Sequence, residues 1–229
     1  MRRQVEELEI GACRIEEREE KIREEKDDSF LWKIGENNPS SKFSTTDTWH
    51  YLNPPGPSVE WHETISFKGR IPRHAFIAWI VSRKRLNTRD TLLRWGLHVP
   101  SSCLLCNLFD ESAQHLFFDC TFSHEVWSFF TSRAHVSPPI LFEDEVRWMK
   151  DPSRDQNVSL ILKLAFQASI YHIWKERNAR LHSASSRPAS ALIQEIKTVI
   201  RCHLDPLTRA QVFRRSTVSF LSTWFRLFQ

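Results

Sequence analysis

Glycine is scarce in this sequence, and so are the patterns through which enzymes usually bind phosphate or activate a nucleophile. The 229 residues include only five glycines, and none stands in a pattern typical of a phosphate-cradling loop or a nucleophile elbow. Serine and histidine are plentiful, but no spacing among them indicates a catalytic triad. We therefore expect no active site of these kinds and no small-molecule substrate.

Long apolar runs are also missing. The longest, AFIAWIV at residues 75–81, is far shorter than the ~20 residues that a membrane-spanning helix needs. The charged start of the chain has no apolar core of the kind found in secretory signals. The five cysteines are odd in number and unevenly spaced, which is not typical of a disulfide framework. We expect an intracellular protein, nuclear or cytoplasmic, with reduced thiols and no membrane segment.

The sequence contains enough apolar residues for a core, since 41% of its residues are hydrophobic. Along most of the chain the apolar residues recur at helical spacing. Two short β-like runs, SFLWKI and KFS, flank the turn-forming GENNPSS and predict a hairpin. We expect a mainly α fold with a short N-terminal β-hairpin-like segment and a small cysteine-rich insertion. The predicted regions are a charged N-terminal helix or arm at 1–26, a central domain at 27–132 and a helical region at 140–229.

Pro72 begins one of the clearest predicted helices, RHAFIAWIVSRKR. Its spacing places Phe76, Trp79 and Ile80 on one face, and the basic residues 83–85 follow at the C-terminal turn, where a helix favours cations. Downstream, TRDTLLRWG predicts a second helix, with Thr88 as its cap and Gly96 as its stop.

Positive charge is concentrated near these two helices. Residues 68–94 contain eight lysines and arginines and a single acid, Asp90, whereas residues 101–151 contain eight acids and three bases. A basic segment of this kind can contact phosphates, although solvated helix faces have the same composition. The candidate nucleic-acid-binding residues are Arg70, Arg73, Arg83, Lys84, Arg85, Arg89 and Arg94.

Three of the five cysteines lie close together in CLLCNLFDESAQHLFFDC, residues 103–120. The spacing is Cys-x2-Cys-x8-His-x4-Cys, and a Cys-x2-Cys turn lets two sulfurs reach one ion while a distant histidine and cysteine complete a tetrahedron. The predicted zinc ligands are Cys103, Cys106, His115 and Cys120. Such a closed set has no open position for a reacting water, so the predicted zinc is structural.

Other interpretations of the same stretch stay open. His98 and His124 are alternative ligands, because each lies close to the cysteines, and the three cysteines could also be ordinary buried residues. Cys13 and Cys202 each stand alone, and we expect neither to bind the metal.

Taken together, four segments resemble the reverse-transcriptase zinc-binding domain of plant LINE-type non-LTR retrotransposons. The segments are DSFLWKIGENNPSSKFSTTDTWHYL, ETISFKGRIPRHAFIAWIVSRKRLNTRDTLLRWGL, CLLCNLFDESAQHLFFDCTFSHEVW and, more loosely, IYHIWKERNARLH. The resemblance implies the same four zinc ligands. It also implies framework roles for Pro72, Trp79, Leu86, Thr88, Leu92, Glu111, Leu116, Phe117 and Trp127.

The resemblance further implies a module that follows a polymerase and helps to hold template RNA or target DNA. Neither the paired aspartates of a polymerase nor the clustered carboxylates of a ribonuclease H stand at suitable positions, so we expect no enzymatic activity. The first hypothesis is therefore a zinc-stabilised module that binds RNA or DNA through its basic helices. The second is an interaction scaffold or retroelement remnant, with a protein partner on the N-terminal helix or on residues 158–174.

Overall fold

A computed structural model describes residues 30–54, 56, 59–183, 185–211 and 218–228. The chain divides into two compact units, residues 1–57 and residues 58–229. Regular structure in the described residues is almost entirely helical, which confirms the predicted mainly α fold. The predicted charged helix or arm at 1–26 lies outside the described residues.

The predicted N-terminal hairpin is not supported. Within residues 30–54, Trp32 and Ser40 form one isolated antiparallel bridge, with N–H···O distances of 2.7 and 2.9 Å between their backbones. Pro39 lies next to this bridge and has no N–H to extend a ladder. Trp32 instead packs edge-on against Phe43, with ring centroids 4.7 Å apart.

The helix of the first unit, α1 (Thr45–Leu52), begins directly after a serine cap. The Oγ of Ser44 accepts a hydrogen bond from the backbone N–H of Asp47 at 3.1 Å. Serine is a favoured residue at this cap position, because its hydroxyl satisfies one of the free N–H groups of the first turn.

The second unit is built around one long helix, α7 (Gln156–Ser183), which packs against α3, α5, α8 and α9. The other elements of this unit, in chain order, are α2 (His62–Ile65), α3 (Pro72–Ser82), α4 (Arg89–Arg94), a π-helical turn (His115–Asp119), α5 (Thr121–Arg133), α6 (Phe142–Trp148), α8 (Ala189–Arg209) and α9 (Phe220–Phe228).

The apolar segment 158–174 lies within α7 and packs inside this chain. Leu162, Ala165 and Ile173, for example, are at most 1% exposed. This corrects the expectation that the segment packs on a protein partner, because the neighbouring helices already cover its apolar side chains.

Helix α3 has Pro72 in its first turn, as predicted, but it turns a different face to the core. Its buried side chains are His74, Ala75, Ala78 and Val81, whereas Phe76 is 56% and Trp79 is 36% exposed. The small alanines allow α3 to lie close to α7, and the larger aromatic side chains are left on the outer face.

Among the described residues, no helix combines the length and the apolar character that crossing a membrane requires.

Candidate metal centre

The two N-terminal cysteines of the cluster lie in a tight loop, closed by an antiparallel bridge between Ser102 and Asp110. The N–H of Cys103 donates to the carbonyl of Phe109 at 2.7 Å. The chain then turns at Asn107, whose φ is +56° and whose N–H donates to the carbonyl of Cys103 at 2.8 Å. This turn brings the thiols of Cys103 and Cys106 into the same cluster.

The other two candidate ligands stand at the two ends of the π-helical turn. The N–H of His115 donates to Ser112 Oγ at 3.1 Å, and the N–H of Cys120 donates to the carbonyl of His115 at 2.8 Å. Leu116 and Phe117 lie between them and are at most 2% exposed. The burial of these two side chains anchors the π-helical turn in the core. The turn therefore places His115 and Cys120 opposite the loop.

The four candidate ligands converge in the fold. Their ligating atoms all lie within 4.8 Å of one another. Cys103 Sγ is 4.0 Å from Cys120 Sγ, and Cys106 Sγ is 3.3 Å from His115 Nε2. A tetrahedral zinc ion separates sulfur pairs by about 3.8 Å and sulfur–nitrogen pairs by about 3.5 Å. The cluster therefore fits a zinc ion with only small adjustments.

Burial and a hydrogen bond between two of the thiols shift the pKa values of the cluster. Cys103 and Cys120 are fully buried, and His115 is 8% exposed. The Cys103 thiol donates to Cys120 Sγ, and this hydrogen bond together with burial raises the pKa of Cys103, while accepting it lowers the pKa of Cys120. A zinc ion would replace that hydrogen bond and hold both sulfurs as thiolates.

The alternative ligands lie elsewhere. His98 and His124 are exposed, and the cluster includes neither of them. Cys202 is an exposed, free cysteine on α8, also outside the cluster. The prediction for Cys13 falls outside the described residues.

A buried ion pair, which the sequence did not predict, connects the loop to α7. Glu111 is fully buried and Arg177, on α7, is 3% exposed. Arg177 Nη2 donates to Glu111 Oε1 at 2.7 Å, and Arg177 Nε lies 3.3 Å from Glu111 Oε2. Glu111 also accepts the backbone N–H of Arg89 at 3.1 Å, so it joins the loop, α4 and α7.

Arg180, one helical turn further along α7, provides a second connection. It donates to the carbonyls of Leu104 and Leu105 at 3.2 and 2.9 Å, between the first two cysteines. Its guanidinium is held by the buried Glu176 at 3.0 Å. Both arginines belong to IYHIWKERNARLH, but no local pattern could pair them with a loop about 70 residues away in the sequence.

The candidate nucleic-acid-binding residues are divided by the fold. Arg70, Arg73, Arg83, Lys84, Arg85 and Arg94 are exposed. Arg89 is 9% exposed, and its guanidinium donates to the carbonyl and the hydroxyl of Ser102 beside the metal cluster. Arg89 therefore has little surface to offer a phosphate, and it acts within the fold.

Most of the expected framework residues are buried. Leu86, Thr88, Glu111, Leu116, Phe117 and Trp127 are all less than 9% exposed. The other three differ, because Pro72 and Trp79 are exposed and Leu92 is partly buried. Trp79 stands on the outer face of α3 and is therefore not a core residue.

Comparison with known proteins agrees with this geometry. Residues 43–127 match the family model described as zinc-binding in reverse transcriptase. No curated protein and no solved structure matches the chain. The match and the geometry together support a reverse-transcriptase zinc-binding domain at residues 43–127, with a structural zinc ion bound by Cys103, Cys106, His115 and Cys120.

Proposed function

We propose that the chain is a non-catalytic nucleic-acid-binding module derived from a non-LTR retrotransposon of the plant LINE type. In this proposal zinc holds the loop at 101–120 in shape, and the loop supports α4 and the segment around it. Exposed cations of α3, α4 and their flanks then contact the phosphates of RNA or DNA.

The observation that carries this proposal is the set of exposed cations in residues 68–94. Lys84 pairs with Glu143 at 2.6 Å and Arg94 lies 3.5 Å from Asp90, but both pairs are on the surface. Surface ion pairs of this kind are weak, so the lysine or arginine can leave its carboxylate partner and bind a phosphate instead. Arg73, Arg83 and Arg85 are exposed. The guanidinium groups of Arg73 and Arg83 lie over the rings of Tyr171 and Trp79, contacts that leave their positive charge without a compensating carboxylate.

A non-catalytic role agrees with the contacts that the buried acidic side chains of the second unit make. Glu111 and Glu176 are held by arginines. Glu145 accepts a hydrogen bond from the Trp127 indole, and burial raises the pKa of Glu145 to about 8. Each of these three carboxyl groups therefore has a structural partner.

The test replaces Arg83, Lys84 and Arg85 by glutamine in one triple variant. The affinity of this variant for single- and double-stranded RNA and DNA is then measured at increasing salt concentrations. The triple variant should bind every sequence more weakly. The slope of log affinity against log salt should flatten by about 0.7–0.9 for each phosphate that the variant no longer neutralises.

A matched control removes the same charge elsewhere. Arg201, Arg209 and Arg226 are exposed and lie on α8 and α9. Their replacement by glutamine should leave the salt slope nearly unchanged. If the wild-type chain binds no nucleic acid at low salt, or if both triple variants lose affinity equally, the proposal for this surface is wrong.

A further inference from the structure

The outer face of α3 carries two aromatic side chains with a basic residue on either side of them along the chain. Phe76 and Trp79 stack on each other, with ring centroids 5.9 Å apart and planes inclined by 30°. The Arg83 guanidinium lies 6.0 Å from the centre of the Trp79 ring. Arg73 lies one helical turn before Phe76, and its guanidinium lies 5.6 Å from the centre of the Tyr171 ring of α7. We call Arg73, Phe76, Trp79 and Arg83 the aromatic face of α3.

The core does not account for this face. The opposite side of the helix, which includes Ala75 and Ala78, is the one that packs in the core. Phe76 is 56% and Trp79 is 36% exposed. Two large stacked aromatic side chains on the outer face of a helix are costly in water, which points to a ligand for them.

We propose that the aromatic face of α3 is a stacking site for unpaired bases of single-stranded nucleic acid. This inference depends on the proposed function and adds the type of strand and the residues that receive the bases. Aromatic rings stack on the faces of unpaired bases, and an arginine beside them can reach the adjacent phosphate or stack as well. Bases in a duplex are already stacked on one another, so they cannot use this site.

The charges around the face favour an anionic strand over a protein segment. Arg73 and Arg83 stand at its two ends, and Lys84 and Arg85 follow directly. Within residues 68–94 the single acid is Asp90, and from outside this segment Glu143 pairs with Lys84 at 2.6 Å. A regularly spaced polyanion with a planar base at each unit matches such a surface.

The test compares two oligonucleotides that have the same phosphates and differ in their bases. One is a single-stranded thymidine oligomer, and the other is an abasic oligomer of equal length. The zinc-loaded full chain should bind the thymidine oligomer at least about fivefold more tightly, as expected for one stacked base or more. Trp79→Ala should lose most of this difference, and its affinity for a duplex and its salt slope should stay unchanged.

Further variants separate stacking from simple apolar contact. Trp79→Phe should keep most of the preference for bases, whereas Trp79→Leu should lose it as Trp79→Ala does. Phe76→Ala provides a second variant in case Trp79→Ala does not fold, and melting curves with zinc content check each protein. Trp49→Ala is the matched control, because Trp49 is 64% exposed but belongs to α1.

The outcomes distinguish this inference from the proposed function. If the wild type binds thymidine and abasic oligomers equally, with a clear salt slope, the stacking site is wrong and the phosphate-binding function stands. The same conclusion follows if Trp79→Leu retains the preference, since an apolar contact would then suffice. If no oligonucleotide binds at low salt, both are wrong, and a protein ligand becomes the occupant to seek.

Discussion

At the scale of single residues, Glu111 and Asp110 differ far more than their sequence suggests. They are neighbouring acids in an acidic loop, but Asp110 is exposed and Glu111 is fully buried against Arg177. A buried carboxylate without its partner is strongly unfavourable, because the interior cannot replace the solvation that the charge loses. Glu111 therefore stabilises the loop through a distant arginine.

Replacing Glu111 by alanine should lower the free energy of unfolding by about 3–5 kcal/mol, because Arg177 is left buried and unpaired. Arg177→Ala should have a similar effect. The double variant should be destabilised by much less than the sum, which urea unfolding of the zinc-loaded protein would measure. Additive effects of the two single changes would contradict the ion pair.

The pair Lys84–Glu143 serves as the control for this cycle. Its N–O distance of 2.6 Å is close to the 2.7 Å of the buried pair, but its side chains are 75% and 61% exposed. Solvent screens such a pair, so its double-mutant cycle should show little coupling.

At the scale of elements, two buried histidines lie where α3 meets α7. His74 is fully buried and His172 is 1% exposed, and their ring centroids are 5.5 Å apart. None of the four ring nitrogens has a hydrogen-bond partner among the described residues. Burial, and after it the charge of His172, lowers the pKa of His74 to about 3. Burial also lowers the pKa of His172 to about 4, although Glu195 acts in the opposite direction.

Both histidines should make the contact between α3 and α7 sensitive to acid. An unfolded histidine takes up a proton near pH 6.5, whereas the folded ones stay neutral until pH 4 or below. Their stabilisation is complete above pH 6.5 and is lost as the pH falls. The free energy of unfolding should decrease by up to about 1.4 kcal/mol per pH unit for each histidine.

The measurement is urea unfolding between pH 7.5 and about pH 5, for wild type and for His74→Phe. Acid also releases zinc from thiolates, so the informative quantity is the difference between the two proteins with zinc in excess. His74→Phe should show a shallower fall. Parallel curves would mean that His74 does not titrate on unfolding.

At the scale of the whole molecule, the metal cluster is continuous with the core of the second unit. Arg177 and Arg180 of α7 contact the loop, and Phe117 of the π-helical turn is buried in the core. Since α7 contacts most of the other long helices, the stability of the loop and that of the helices are coupled.

Removing zinc with a chelator should therefore lower the melting temperature of the second unit as a whole, beyond any local effect on residues 101–127. Structural zinc supplies about 10–16 kcal/mol in small peptides, and a ligand bound only by the folded state stabilises it. Circular dichroism during melting, with and without chelator, measures the effect. Identical melting curves would contradict a structural role.

Cysteine variants identify the metal site independently. Cys120→Ser should reduce bound zinc well below one ion per chain, because it removes one of four ligands. The joint replacement of Cys13 and Cys202 by serine is the control and should leave one ion per chain, measured by elemental analysis. Loss of zinc in the control would show that the ligands are assigned wrongly.

The sequence by itself determined the features that depend on near neighbours. The cluster of Cys103, Cys106, His115 and Cys120 follows from their spacing within 18 residues, because a short chain can bring its own side chains to one ion. The start of α3 follows from Pro72, since the fixed φ of proline acts within one helical turn.

Only the tertiary structure decided which side of α3 is buried and which charges stay in water. Helix α3 is apolar on both sides, so its periodicity could not show whether the side with Phe76 and Trp79 or the side with the alanines faces the core. Close packing on α7 buries the side with the alanines. Glu111 and Arg177 are 66 residues apart in the chain. Interactions over such separations form only when the helices pack, and no local pattern encodes them.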